Sequence, residues 1–80
     1  RNSVILDNTG KLIQNTTEIF TYTGGTPVFT VQNGINSIVS LDVNGLVEDE
    51  GRGYEITGLK ELTLLGTPVV GSKIGITYLY

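Results

Sequence analysis

The stretch IVSLDVNGLVEDEGRGY, residues 38–54, decides the fold of this chain. Val39, Leu41 and Val43 alternate with polar residues, and this period of two predicts a β-strand with one buried face and one exposed face. Asn44 and Gly45 follow at once, and these residue types readily adopt the positive φ angles that a type I′ hairpin turn requires. The stretch therefore predicts an antiparallel β-hairpin.

The rest of the chain also predicts β-structure. Glycine and proline separate short runs that are rich in threonine, valine and isoleucine, and no long window has apolar residues at helical spacing. The predicted strands are Ser3–Leu6, Lys11–Gln14, Thr17–Thr23, Val28–Gln32, Ser37–Val43, Leu46–Glu48, Tyr54–Thr57, Glu61–Leu65 and Lys73–Tyr80. We expect one domain over residues 1–80, an all-β, small antiparallel β-sandwich of immunoglobulin-like or jelly-roll-like type with about 7 to 8 short strands.

Turn chemistry and strand phase predict a first hairpin and a core. The first two strands flank residues 7–10, where Asp, Asn and Gly favour a turn. In the last strand Ile74, Ile76 and Tyr78 share one face, so the register of that strand is well specified. The expected core residues are Leu41, Val43, Ile56, Leu62, Leu64, Ile74 and Ile76.

Roughly the last two thirds of the chain carry a series of turn and strand residues that resembles a known group of modules. The matching residues are Val43, Asn44, Gly45, Gly51, Tyr54, Pro68, Gly71, Ile74, Ile76 and Tyr78. This series resembles the small β-sandwich modules of bacteriophage tail, fibre and baseplate proteins. The chain departs from their pattern at Gly53, where these modules more often have an acidic residue. The resemblance implies a structural role in a virion, in contact with other virion proteins and as a homo-oligomer, commonly a trimer.

The small size and the first residue bear on the organisation of the chain. A domain of 80 residues without cysteine has a small core, so we expect stability from two-sheet packing together with burial against neighbouring copies. The sequence begins with Arg1 rather than Met. We therefore expect a fragment of a longer virion protein.

The charge pattern disfavours two classes of partner. Five basic residues stand against eight acidic ones. The basic residues are dispersed singly, at Arg1, Lys11, Arg52, Lys60 and Lys73. The chain therefore has no row of basic residues that could neutralise the phosphates of a nucleic acid. It also has neither a long apolar run nor a basic amphipathic helix that could enter or lie on a membrane. We expect neither nucleic acid nor membrane insertion.

The inventory of reactive side chains predicts no enzyme and no cofactor. Histidine and cysteine are absent, so neither a Ser-His-Asp triad nor a thiol nucleophile can be assembled and zinc lacks its usual ligands. Ser72 and Lys73 are neighbours in the chain, and neighbours on a strand point to opposite faces. We therefore expect no catalytic Ser-Lys dyad at these two residues.

The acidic run Glu48-Asp49-Glu50-Gly51 has three interpretations. The simplest is a solvated turn whose like charges discourage pairing at a strand edge. A calcium site is an alternative, although the run lacks the spacing of a calcium-binding loop. A glycosidase pair is another, although it needs a cleft between two carboxyl groups. We expect no metal site.

The tyrosines divide into two pairs. Tyr54 and Tyr78 lie in core phase and are expected to pack, with the phenol reaching the surface. Tyr22 and Tyr80 lie near strand ends and are the candidates for outward rings that recognise a host glycan or receptor.

Three functions remain at this stage. The first is a non-enzymatic structural or attachment module of a bacteriophage fibre, tail or head-decorating protein, located in the virion and acting through subunit and surface contacts. The second is a carbohydrate- or receptor-binding adhesin module, with polar loop side chains bonded to sugar hydroxyls. The third is an accessory domain of an enzyme such as a depolymerase, without chemistry of its own.

Overall fold

A computed structural model describes the backbone at residues 5–6 and 12–80, and the side chains at residues 13–80. This part of the chain forms strands and no helix. The strands are β1 (Ile5–Leu6), β2 (Leu12–Ile13), β3 (Asn15–Thr21), β4 (Val28–Thr30), β5 (Ser37–Val43), β6 (Leu46–Glu48), β7 (Tyr54–Gly58), β8 (Glu61–Leu64) and β9 (Lys73–Leu79). The prediction of an all-β chain is confirmed.

Seven of the strands form two antiparallel sheets. One sheet has the order β3-β9-β5-β6, and the other has the order β4-β8-β7. The inner faces of both sheets contribute to one apolar cluster, which is the arrangement of a β-sandwich. The predicted small antiparallel β-sandwich is therefore confirmed. β1 and β2 form a separate antiparallel pair, as the predicted first hairpin requires, while its turn at residues 7–10 lies outside the described residues.

The core lies between the two sheets, where strand register brings apolar rows together. In the larger sheet Ile74 has Phe20 on one side and Val43 on the other. The buried cluster consists of Tyr22, Phe29, Val31, Leu41, Tyr54, Leu62, Leu64, Ile74, Ile76 and Tyr78. Each fully buried aliphatic side chain contributes about 1.5–3 kcal/mol to folding. The core prediction is confirmed at five residues, Leu41, Leu62, Leu64, Ile74 and Ile76, and Val43 packs against the cluster partly buried.

Two predictions about the apolar faces are wrong. Ile56 lies opposite Leu62, so its phase is that of the core, yet its side chain is 40% exposed on β7, an edge strand of its sheet. Val39 does not share a face with Leu41, because the register of β5 against β9 shifts between Ile38 and Ser40. This bulge turns Val39 outward, 54% exposed, and lets Ile38 pack against the core instead.

The predicted turn between β5 and β6 is confirmed by its backbone. Asn44 has φ 52° and Gly45 has φ 87°, the positive values that a type I′ turn requires at both central residues. The backbone N–H of Gly45 also donates to the carboxylate of Asp42 at 3.2 Å. The turn is thus fixed by both residue type and a local hydrogen bond.

The two ends of the sandwich body lie side by side. Gln14 and Tyr80 exchange two backbone hydrogen bonds of 2.8 Å, and Asn15 pairs with Leu79 just beyond them. The segments that precede β3 and follow β9 therefore meet at one end of the body.

Candidate functional site

The sandwich has two ends, which we call the base and the tip. The base contains Gln14, Tyr80, the β4–β5 loop (residues 31–36) and the β7–β8 turn, which are joined by backbone hydrogen bonds such as Ile35 N–H to Leu59 O. The tip contains the β3–β4 loop (residues 22–27), the β5–β6 turn and the β8–β9 loop (residues 65–72). The long β7–β8 hairpin runs between the ends, with Tyr54 and Leu64 paired near the tip.

The tip loops are held together mainly by main-chain groups. The N–H of Tyr22 donates to Ser72 O at 2.9 Å, and the N–H of Gly71 donates to Tyr22 O at 2.8 Å. Asn44 bridges from the next turn, donating through Nδ2 to the hydroxyl of Ser72 and accepting at Oδ1 from the N–H of Lys73. The three tip segments therefore form one hydrogen-bonded platform.

The platform exposes aliphatic side chains. Val69 is 79% exposed and Val70 is 66% exposed, both on the β8–β9 loop. Leu46, which follows the β5–β6 turn, is similarly exposed. Aliphatic groups on a pre-formed surface are suited to contact with another protein surface.

A cleft opens beside the tip, between the β6–β7 turn and the β8–β9 loop. Its volume is about 270 Å³. Apolar side chains of Val43, Leu64 and Pro68 line part of it. Polar groups come from Glu48, Arg52 and Thr67, and Gly53 and Gly66 complete the lining. The cleft combines an apolar lining with a few polar groups, as binding clefts commonly do.

Two glycines shape this cleft in different ways. A Cβ on Gly53 would lie 2.3 Å from Oε1 and 2.7 Å from Cβ of Glu48, so Glu48 occupies the space of any side chain there. A Cβ on Gly66 would meet nothing within 4 Å. Gly66 thus leaves the cleft open.

The acidic run forms the turn beside the cleft. Asp49 O accepts from the N–H groups of Arg52 and Gly53, at 3.1 and 2.8 Å, and Gly51 has φ 86°. Within the described residues, no three acidic side chains gather so as to hold a metal ion. Burial, followed by the charges of Glu50 and Asp49, raises the pKa of the Tyr54 phenol above its usual value.

The base carries an exposed leucine beside a lysine. Leu59, in the turn between β7 and β8, is 76% exposed, and Lys60 next to it is also exposed. The backbone of this turn is anchored, because Leu59 O accepts from Ile35 N–H and Lys60 O accepts from Val31 N–H, both at 2.8 Å. The leucine and lysine side chains therefore project from a fixed turn.

A partly buried hydrogen-bond network joins β3, the β4–β5 loop and β9 near the base. The Tyr78 phenol donates to the Glu18 carboxylate and accepts from the backbone N–H and the Nδ2 of Asn33, both at 3.2 Å. Gln32 N–H also donates to Glu18. Burial and the hydrogen bond to Glu18 raise the pKa of Tyr78 above its usual value.

The structure places the two candidate recognition tyrosines differently from the prediction. Tyr22 is only 4% exposed and its phenol donates to Gly25 O, so the expectation of an outward ring is wrong there. The reason is phase, since Phe20 and Tyr22 lie on the inner face beside β9. Tyr80 is partly buried against the core, and its phenol donates to Gln14 Oε1 at 3.0 Å. The tyrosine rings that were expected to face outward instead help to close the sandwich.

Sequence reasoning missed the exposed aliphatic residues and the cleft. The available signal was the presence of large aliphatic residues inside turns, at Leu59 and at Val69-Val70, where turns usually carry small or polar residues. The cleft had no comparable signal, because its lining comes from four separate parts of the chain.

The chain matches no protein-family model, no curated protein and no solved structure. No helix long and apolar enough to cross a membrane occurs among the residues that the structure describes.

Proposed function

We propose that this chain is a non-enzymatic structural and attachment module of a bacteriophage virion, in a fibre, tail or head-decorating protein. It acts through contacts with copies of itself and with other virion proteins. The observation that carries the contact role is the pair Val69 and Val70, 79% and 66% exposed, on loops that backbone hydrogen bonds hold in place. A rigid surface loses little conformational entropy when it binds, so these aliphatic groups favour association.

The assignment to a virion rests on the sequence resemblance. The residues that carry it hold the fold: Asn44 and Gly45 form a turn with positive φ, and Tyr54, Ile76 and Tyr78 are buried. They are the residues on which a small sandwich of this kind depends, so they support a shared scaffold role rather than a shared reaction. In this proposal, attachment to the host also depends on a complementary fit between two protein surfaces and not on a reaction.

The mass of the purified chain in solution tests the assembly part of this proposal. Light scattering across a dilution of about a hundredfold separates a stable oligomer from a concentration-dependent one. We expect a homo-oligomer, with a trimer as the basic unit. A folded monomer at every concentration contradicts self-assembly and favours the second candidate.

The second candidate is a carbohydrate- or receptor-binding module, and the tip cleft favours it. Glu48 accepts hydrogen bonds, Arg52 donates them, and the Thr67 hydroxyl does both, above an apolar lining. Such groups suit the hydroxyls and the C–H face of a sugar. A panel of immobilised cell-surface glycans tests this candidate. Binding that is lost on Glu48→Gln supports it, and no binding across the panel while the chain stays folded contradicts it.

A further inference from the structure

We propose that two copies of this chain join through the free edges of β3, as antiparallel strands related by a two-fold axis at Ile19. The four-stranded sheets of the two copies then form one sheet of eight strands. The inference rests on the proposed role in subunit contacts, and it names the surface, the partner and the register. A two-fold contact at least doubles the mass of the unit that carries it, whether that unit is a monomer or a trimer.

Four strands lie at the edges of the two sheets, and three of them carry features that oppose pairing with another chain. β4 and β6 have three residues each, and Pro27 precedes β4 while Asp49 and Glu50 follow β6. β7 has a register shift against β8 between Ile56 and Gly58. In contrast, β3 has seven residues in unbroken register with β9, and it contains neither proline nor lysine. β3 is therefore the edge best suited to strand addition.

Backbone hydrogen bonds fix which groups of β3 point to its free edge. Gln14 and Tyr80 exchange two backbone bonds, and hydrogen-bonded pairs alternate with non-hydrogen-bonded pairs along antiparallel strands. Tyr22 N–H donates to Ser72 O at 2.9 Å, so the even-numbered residues of β3 bond to β9 throughout. The odd-numbered residues point their N–H and C=O groups to the free edge, where an added strand can bond to them. These residues are Asn15, Thr17, Ile19 and Thr21.

Ile19 lacks a packing partner within its own copy. It is 72% exposed on the outer face of the larger sheet and lies opposite Gly75, which has no side chain. The Asp42 carboxylate takes up the space beside Gly75, since a Cβ there would lie 2.5 Å from Asp42 Oδ1. A second copy places its own Ile19 directly opposite the first, and β-branched apolar pairs of this kind stabilise a sheet.

The threonines that flank Ile19 complement each other across the axis. With Ile19 opposite itself, Thr17 of each copy lies opposite Thr21 of the other. The Thr21 hydroxyl accepts from Lys73 Nζ at 2.6 Å, so its own hydrogen is available to Thr17 of the second copy. Thr17 and Thr77 share a hydroxyl hydrogen bond of 2.8 Å, and Thr17 can still accept when it donates to Thr77. Threonine pairs opposite each other form such cross-strand hydrogen bonds.

The inward charge of Glu18 is the feature of β3 that opposes a docked strand. Its carboxylate is held within its own copy, where it accepts from the Tyr78 phenol and from Gln32 N–H. The side chain is already half-buried. Docking therefore removes little further water from this carboxylate and leaves both of its hydrogen-bond donors in place.

Glu18 also selects the register. An axis at residue 18 places Glu18 directly opposite its counterpart, and like charges in that position are destabilising. An axis at Ile19 instead places Glu18 opposite Phe20 of the second copy. An axis at Thr17 also separates the carboxylates, but it places Ile19 opposite the polar Asn15. The axis at Ile19 is therefore the favoured register.

The same edge meets every requirement of the contact, so the partner is a second copy rather than a different strand. Each copy supplies free main-chain groups, an apolar residue at the axis and a threonine two residues away on either side. Ile19 with itself and two pairs of Thr17 with Thr21 give about six backbone hydrogen bonds. A single pair of edge strands is smaller than a standard interface of about 1,600 Å², so we expect the contact to dissociate on dilution.

Charges at residue 19 test both the pairing and its axis. Ile19→Lys and Ile19→Glu each place like charges opposite one another, so each variant alone keeps the mass of the basic unit. In an equimolar mixture opposite charges meet across the axis, and the mass rises again. Val47→Lys and Val47→Glu are the matched controls, because Val47 is 70% exposed and lies in the same row of the sheet, on the opposite edge. Thermal unfolding checks the fold of each variant.

Light scattering and sedimentation, at high concentration and after a dilution of about a hundredfold, give the readout. At high concentration, we expect the unchanged chain and both Val47 variants to have at least twice the mass of Ile19→Lys. On dilution their mass falls to that of Ile19→Lys. The mass of Ile19→Lys does not change with concentration.

Single cysteines test the register, since the chain has no cysteine of its own. Residues in a hydrogen-bonded antiparallel pair have Cα atoms about 5.5 Å apart, within the range that a disulfide spans. Under mild oxidation we expect Ile19→Cys to form a covalent dimer faster than Thr17→Cys and Val47→Cys. Faster linkage of Thr17→Cys overturns the axis at Ile19, and equal rates for all three variants overturn the pairing.

Three results of the mass measurements overturn the pairing. They are an unchanged chain with the mass of Ile19→Lys at every concentration, a Val47→Lys variant that loses mass as Ile19→Lys does, and a mixture of the charged variants that gains no mass. If every sample is a trimer of the same mass, the pairing is wrong and the proposed subunit role stands. If every sample is a monomer, both the pairing and the proposed self-assembly are wrong.

Discussion

The two ends of the sandwich are held together by different chemistry. At the tip, backbone hydrogen bonds and glycines with positive φ join the loops, as in the bonds between Tyr22, Gly71 and Ser72. Near the base, backbone bonds such as Ile35 N–H to Leu59 O also join the loops, and side chains add to them, as Tyr78 links Glu18 on β3 to Asn33 in the β4–β5 loop. The difference teaches that the base depends on the identity and ionisation of a few side chains. The tip instead depends on backbone conformation and tolerates variation in its exposed side chains.

The same substitution at each end measures this difference most directly. Tyr78→Phe leaves the half-buried Glu18 carboxylate without the phenol donor, so we expect it to lower the free energy of unfolding by about 1.5–2 kcal/mol. Tyr22→Phe removes only the hydrogen bond to Gly25 O, and we expect a loss of about 0.5–1.5 kcal/mol. Urea denaturation of both variants gives the two values. An equal or larger loss at Tyr22 contradicts the comparison.

A glycine pair tests the backbone side of the comparison. Gly53→Ala places a Cβ against Glu48, and we expect it to cost about 1–2 kcal/mol through local overpacking. Gly66→Ala is the matched control from the same cleft, where the new methyl group meets open space, and its effect should stay within about 0.5 kcal/mol. Denaturation midpoints measured together give both values. A neutral Gly53→Ala shows that Glu48 moves aside freely.

The pH dependence of stability is the smallest expected effect, and it tests how far two buried phenols, one near each end, control the free energy of unfolding. Burial and its neighbours raise the pKa of Tyr78 above the ordinary value of 10.0, and the pKa of Tyr54 is raised as well. As the pH rises, the phenols of Tyr54 and Tyr78 therefore lose their protons in the unfolded chain before they do so in the folded chain. Stability is therefore full below about pH 10 and falls as the pH rises through the folded-state pKa values. No group contributes more than about 1.4 kcal/mol per pH unit.

Denaturation between about pH 8 and about pH 11 measures this slope. Tyr78→Phe and Tyr54→Phe should each make the slope shallower. If these variants leave the slope unchanged, other groups cause the loss of stability at alkaline pH.

The sequence was sufficient for the strands and the central turn, because their determinants are local. Alternation in β9 and the Asn44-Gly45 pair predict structure within a few residues, and both predictions hold. The bulge between Ile38 and Ser40 was not predictable in this way, since it depends on how β5 meets β9. Exposure of Ile56 was missed for a related reason, because strand phase does not tell which strand lies at an edge.

The candidate surfaces were less predictable than the fold. The acidic turn was recognised as a turn, but its position beside Leu64 and Pro68 depends on contacts between distant segments. Burial of Tyr22 follows from the length of β3 and its pairing with β9. Such properties belong to the assembled sheets, so the surface that an end presents cannot be derived from the residues near one turn.

The two backbone hydrogen bonds between Gln14 and Tyr80 make the sandwich suitable for insertion into another protein. Gln14 directly precedes β3 and Tyr80 directly follows β9. The two residues are therefore about one strand spacing apart, about 4.8 Å. A host chain therefore needs to open a surface loop by only that gap to accept the whole body as an insertion, without rearranging its own fold. The tip then points away from the host protein, and the sandwich forms a projecting inserted domain.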